Sequence, residues 1–186
     1  MIGLGERWRR WVRSSRTKSP WVVHFDCGGC NGCDIEILDA LTPVHSAERF
    51  GVVNVGDPRQ ADVLLVTGPA NERNAAVLRE TYEQMAEPKA VLAIGACAAY
   101  GGVFHGAPNI LGGVGRIVPV DAHVPGCPPR PEAILRGVLQ AAPLLAEVRD
   151  PTAMTTNSTT TDATRSPDAA DASTPGPDIH WEPDHA

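Results

Sequence analysis

Between residues 21 and 148, short apolar runs alternate with amphipathic stretches, and the two patterns predict different elements. Runs that stay apolar at nearly every position read as strands buried on both faces, here over 22–25, 52–55, 63–67, 90–94 and 122–124. Spacings of three and four read as helices over 34–41, 74–85 and 131–148. Strand and helix in alternation is the βαβ pattern of a parallel sheet covered on both faces. Within 74–85, Val77, Leu78, Tyr82 and Met85 form the expected core-facing stripe. Pro131 opens the last helix at a first-turn position that its fixed φ favours, and Pro143 is expected to kink or shorten it.

The pattern changes at both ends. The stretch GERWRRWVRSSRTKSP spaces Trp8, Trp11 and Val12 by three and four, so as a helix it carries an aromatic stripe beside a cationic face. That composition suits a membrane surface or a partner. An unstructured basic leader accounts for the same residues, because short isolated helices are marginal in water. The stretch lacks the continuous apolar region of roughly 7–15 residues that a secretory signal needs, so a cytoplasmic location is expected. After Asp150, PTAMTTNSTTTDATRSPDAADASTPGPD holds almost no large apolar side chain before Ile179 and Trp181. Such a segment cannot bury enough surface to offset its ordering entropy, and disorder is expected. Charge divides the same way: the net −6 resolves into +5 over 1–19, −5 over the middle and −6 from Asp150 onward. The expected organisation is a basic aromatic arm at 1–18, an α/β domain at 19–148 and an acidic tail at 149–186.

A chain of 186 residues, 42% hydrophobic and 20% charged, suits one globular domain with extensions rather than wholesale disorder or a membrane bundle. No window approaches the roughly 18 apolar residues that span a bilayer. Five cysteines, an odd number without dense spacing, do not resemble the staples of a small secreted domain. Their positions carry more information. Cys27, Cys30 and Cys33 follow the first strand, Cys97 follows the strand at 90–94, and Cys127 follows the strand at 122–124. In an open parallel sheet the loops leaving the carboxyl ends of strands gather at one edge, where ligands bind.

Each of those loops is rich in glycine or proline: Cys27-Gly28-Gly29-Cys30-Asn31-Gly32-Cys33, Gly95-Ala96-Cys97-Ala98-Ala99-Tyr100-Gly101-Gly102, and Pro125-Gly126-Cys127-Pro128-Pro129-Arg130-Pro131. Glycine allows close backbone approach and proline stiffens, the combination that thiolates on iron require. Zinc ordinarily takes paired C-x2-C knuckles, and the single cysteines at 97 and 127 fit that poorly. A structural disulfide is disfavoured by the expected compartment. The pattern therefore favours a four-cysteine iron–sulfur cluster with one cysteine left over, and leaves a non-redox, zinc-binding α/β module as the competing class.

Five motifs in order carry a family resemblance: Gly29-Cys30-Asn31-Gly32-Cys33-Asp34-Ile35-Glu36-Ile37-Leu38, Glu48-Arg49-Phe50-Gly51, Ala61-Asp62-Val63-Leu64-Leu65-Val66-Thr67-Gly68-Pro69, Ala93-Ile94-Gly95-Ala96-Cys97-Ala98, and Val124-Pro125-Gly126-Cys127-Pro128-Pro129-Arg130-Pro131-Glu132. Together, over about 19–145, they resemble the small electron-transfer subunit shared by membrane-bound [NiFe] hydrogenases, formate hydrogenlyase and complex I, the NADH-quinone oxidoreductase. The resemblance implies a flavodoxin-like three-layer α/β sandwich with a mainly parallel sheet. It implies one [4Fe–4S] cluster at the carboxyl ends of the strands, on Cys30, Cys33, Cys97 and Cys127, with Cys27 a spare thiol. Complex I members have two adjacent cysteines where Cys30 and Cys33 are separated here, so the chain is similar to the hydrogenase branch.

The implied partners are a catalytic large subunit, a ferredoxin-like iron–sulfur subunit and membrane subunits, with the chain on the inner face of the cell membrane. A quinone-reducing relative remains the alternative. Arg130 and Arg49 are expected as tuning charges, with a surface ion pair as the competing role. Glu36 is expected near the amino end of its helix, with helix-end stabilisation preferred to a proton relay. His24, His45, His105 and His123 lack metal spacing and are expected in packing or surface roles. Tyr100 and Phe104 are expected to order their loop or line a partner interface or quinone mouth. No G-x-G-x-x-G loop is present, so a nucleotide is not an expected ligand, and no nucleic acid is expected among the partners.

Overall fold

The computed structural model describes residues 4–146. In chain order the elements are α1 (Leu4–Lys18), β1 (Trp21–Asp26), α2 (Gly32–Leu41), β2 (Val53–Asn54), β3 (Val63–Thr67), β4 (Ala70–Asn71), α3 (Glu72–Gln84), β5 (Ala90–Ile94), α4 (Gly95–Tyr100), β6 (Ile110–Gly112), β7 (Ala122–Val124) and α5 (Pro131–Ala141). A 3-10 turn at Ala47–Phe50 precedes β2, and another at Ala142–Ala146 follows α5. Five strands form a parallel sheet in the order β2-β1-β3-β5-β7, with the two-residue β2 and the three-residue β7 at its edges. Counting only these strands, the order is 2-1-3-4-5, that of a flavodoxin-like doubly wound sheet.

The expected strands at 63–67, 90–94 and 122–124 match β3, β5 and β7. Every residue of β3 and β5 is buried, which is why their sequence is apolar throughout. Successive side chains point to opposite faces. Val63 and Leu65 join a core with Ile37 and Ala40 of α2 and Ile134, Leu135 and Val138 of α5. Leu64 and Val66 join a second core with Leu78 and Tyr82 of α3 and with Met85, Ala98 and Val114. Helices thus cover both faces and complete the three-layer sandwich. Leu64 is fully buried, so Leu64→Ala is expected to lower unfolding free energy by about 2–5 kcal/mol, read from the denaturation midpoint.

Several elements depart from expectation, among them β2, which keeps only Val53–Asn54 of the expected 52–55. Val77 is 50% exposed, so the buried stripe of α3 narrows to Leu78, Tyr82 and the following Met85. One residue turns a helix by about 100°, which takes Val77 off the face that Leu78 buries. The last helix stops at Ala141 and tightens into the 3-10 turn, since Pro143 has no N–H to continue an α-helix. Gly95–Tyr100, read as loop, is a short helix.

The arm is helical. α1 packs against Ala142–Ala146, and Arg16 Nε lies 3.4 Å from Asp62 Oδ1 while its Nη1 donates to the Glu87 carbonyl at 3.3 Å. Asp62 immediately precedes β3, so α1 is tied to the amino ends of the strands. The Trp8 and Trp11 rings stand 5.4 Å apart and are both exposed. Among the described residues no helix is long and apolar enough to cross a membrane. The stretch at 149–186, expected to be disordered, lies outside the described residues.

Candidate functional site

The carboxyl ends of β1, β5 and β7 bring four of the five cysteines to one edge of the sheet. After β1, the Asp26 carboxylate accepts from the amides of Gly28 at 2.8 Å and Gly29 at 3.1 Å, folding the chain back sharply. Cys30 follows at the surface, Asn31 takes the left-handed conformation (φ 63°), and α2 begins so that Cys33 lies in its first turn. After β5, Gly95 at φ 82° turns directly into α4, which carries Cys97 as its third residue. After β7, Gly126 leads into the exposed Cys127, and the Ala96 amide donates to the Gly126 carbonyl at 2.9 Å. That bond ties the second and third cysteine-bearing segments together.

Burial and neighbouring thiols act together on Cys33 and Cys97. Burial, followed by Cys97, Asp34, Cys30 and Cys127, pushes the Cys33 thiol up to about 11. Burial, then Cys127 and Cys30, raises Cys97, against which the Val103 amide donates to its sulfur. Like charges brought together resist ionisation until a cation compensates them, and metal binding to such a set releases protons. Two glycines wall the space. A Cβ at Gly95 would stand 2.6 Å from the Cys33 sulfur, and one at Gly102 2.8 Å from the Cys97 sulfur. Among the described residues, no three His, Cys, Asp or Glu side chains are grouped to hold a single metal ion. Cys97, Cys30 and Cys127 all act electrostatically on Cys33, which puts the four thiols in one neighbourhood.

Cys27 stands apart. It is fully buried in the core on the α3 side, whereas Cys33 packs on the α2 and α5 side. Burial, with a smaller contribution from Asp26, pushes its thiol up to about 12, and no other cysteine contributes. Its amide donates to the Thr67 carbonyl at 2.9 Å, and its own carbonyl accepts from Asn71 and from Asn74.

The other expected site residues scatter. Arg130 is exposed at the position preceding α5. Arg49 stacks 5.2 Å over the Phe50 ring and borders a cavity of about 350 Å³ shared with Glu132 and Arg136, whose lining includes no cysteine. Glu36 is half-buried beyond the first turn of α2, and the acid within that turn is Asp34, so helix-end stabilisation falls to a different residue than expected. Tyr100 is 61% exposed and Phe104 half-buried. His105 and His123 are on the surface, while His45 sits between Asp39 at 3.2 Å and Glu132 at 3.6 Å. His24 is neither simple packing nor surface: its Nε2 lies 2.9 Å from Asp34 Oδ1 and 3.0 Å from Thr67 Oγ1. Asp34 escapes sequence reasoning, although an acid next to Cys33 is a visible signal.

Comparison with known proteins adds three likenesses and a family. The family described as NADH ubiquinone oxidoreductase, 20 Kd subunit, matches residues 30–141. The probable membrane-bound hydrogenase subunit mbhJ of Pyrococcus furiosus is 56% identical over 131 residues, covering 70% of this chain and 78% of that protein. Formate hydrogenlyase subunit 7 of Escherichia coli is 44% identical over 130 residues, 70% of this chain, which spans about half (51%) of that relative. Among solved structures, a chain of the archaeal membrane-bound sulfane sulfur reductase superposes with a TM-score of 0.64 at 34% identity, covering 74% of this chain and 76% of that one.

Proposed function

Because the chain belongs to the 20 kDa subunit family of NADH ubiquinone oxidoreductase, we propose that it is the single-cluster electron-transfer subunit of a membrane-associated oxidoreductase of hydrogenase or formate-hydrogenlyase type. Cys30, Cys33, Cys97 and Cys127 would hold one [4Fe–4S] cluster. The observation that carries this reading is the placement of those four cysteines beyond the carboxyl ends of β1, β5 and β7, with Gly95 and Gly102 packed closely against the sulfurs of Cys33 and Cys97. Once bound, the cluster supplies one-electron transfer, with its potential tuned by charge, hydrogen bonds to sulfur and exposure.

The chain's own residues define the surroundings. Cys33 and Cys97 anchor the protein side, while Cys30 and Cys127 are exposed and leave the opposite side open to a neighbouring carrier. The Val103 amide stabilises charge on the Cys97 sulfur. The exposed apolar side chains Ile35 and Leu38 of α2, with Tyr100 and Val103 beyond Cys97, offer surface for a catalytic large subunit to cover. A ferredoxin-like subunit and membrane subunits complete the expected assembly, with this chain peripheral on the cytoplasmic side. The two residues between Cys30 and Cys33, and the 56% identity to a hydrogenase subunit, favour the hydrogenase branch over a quinone-reducing complex I type.

Anaerobic purification tests the reading. About four irons and four acid-labile sulfides per chain are expected, with visible charge-transfer absorption and an EPR signal on reduction. A colourless chain carrying zinc overturns it. Nickel in a co-purifying large subunit separates the hydrogenase branch from the quinone-reducing one.

A further inference from the structure

His24, Asp34 and Thr67 form a hydrogen-bonded trio joining three elements directly beside Cys33. Thr67 ends β3, His24 lies on the neighbouring β1, and Asp34 lies in the first turn of α2. Thr67 Oγ1 donates to Asp34 Oδ1 at 2.5 Å, and His24 Nε2 lies 2.9 Å from the same oxygen. An ionised carboxylate only accepts hydrogen bonds, so both partners are donors and the imidazole presents its Nε2–H. Thr67 is 1% exposed, so one donor is fixed within the sheet. Asp34 is also among the charges that act on the Cys33 sulfur. A carboxylate held by two donors from two strands, with its side chain only 16% exposed, is restrained beside the adjacent sulfur.

We propose that Asp34 is a potential-setting residue: a fixed negative charge beside Cys33 that favours the oxidised state of the cluster, with His24 and Thr67 as the positioning residues that hold it there. The inference rests on the cluster reading above. Reduction adds negative charge at the site, a nearby fixed carboxylate opposes it, and the less the pair is screened by water the larger the effect.

The test is an EPR-monitored redox titration of the intact complex carrying wild-type chain, Asp34→Asn, Thr67→Val or His24→Leu, with iron, sulfide and thermal midpoint measured on each. Asp34→Asn, nearly isosteric, is expected to keep its iron and shift the cluster midpoint upward. Thr67→Val and His24→Leu, which free the carboxylate without removing it, are expected to shift it the same way by less. Unchanged or lowered midpoints in iron-replete variants overturn the proposal, including where the thermal midpoint falls, because that is the signature of a purely structural trio. If Asp34→Asn loses its iron, the two positioning variants decide by the same criterion. A wild-type complex whose chain lacks iron and sulfide defeats the cluster reading and this inference with it. An iron-replete wild type with unshifted variants defeats the inference alone.

Discussion

Serine in place of Cys30, Cys33, Cys97 or Cys127 is expected to strip the chain of its iron and sulfide, whereas Cys27→Ser keeps both. A hydroxyl is a poor substitute for a thiolate on iron, and the four positions act as a set because they come from three segments, after β1, β5 and β7, at one edge of the sheet. Cys27 has no share in that set: it is sealed in the opposite core and its thiol is held at about 12, so it stays protonated at neutral pH. Its replacement by serine puts a hydroxyl into an apolar core, which costs about 1–3 kcal/mol if no partner is found. Iron and sulfide assays on the five variants, alongside denaturation curves, check both halves. Retention of a full complement of iron in Cys33→Ser, or its loss in a folded Cys27→Ser chain, would reassign the ligand set.

Gly95→Ala is expected to lower iron occupancy several-fold in a chain that still folds. Gly95 adopts φ 82°, a left-handed conformation that costs an L-residue roughly 1–2 kcal/mol. The added methyl would also stand 2.6 Å from the Cys33 sulfur, with the Gly126 carbonyl 3.4 Å away, so the sulfur must be displaced from its present position. Gly56→Ala is the matched control, since a Cβ there meets nothing within 4 Å and its φ is ordinary. Circular dichroism measures the fold and iron content the site. Equal iron in the two variants would show that the glycine is not part of the cradle.

The sheet is largely legible in the sequence because its central strands are buried on both faces, which leaves continuous apolar runs. Helix α4 is not, because GACAAY has too few large side chains to mark a face and opens on glycine. The ribbon of Ala70–Asn71 with Ile110–Gly112 is too short for any period to register. The arm is ambiguous in sequence because an isolated helix of that length is marginal. Its packing on Ala142–Ala146 and the Arg16–Asp62 pair are tertiary features that no local pattern contains. At the site, the position of each cysteine just beyond a strand is enough to bring Cys30, Cys33, Cys97 and Cys127 to one edge. The His24, Asp34 and Thr67 trio is different in kind: it depends on the pairing of β1 with β3 and on the direction in which α2 leaves Cys33.

The brevity of β2 and β7 bears on how such a subunit survives before it is assembled. An open sheet edge is a template for strand addition and for aggregation, and natural sheets blunt it with short edge strands and proline. Here the edges offer two and three residues, and Pro125 directly after β7 removes the next amide that could extend a ladder. The edges of this sheet thus offer little backbone for strand addition, and an unpartnered copy has little on which to polymerise.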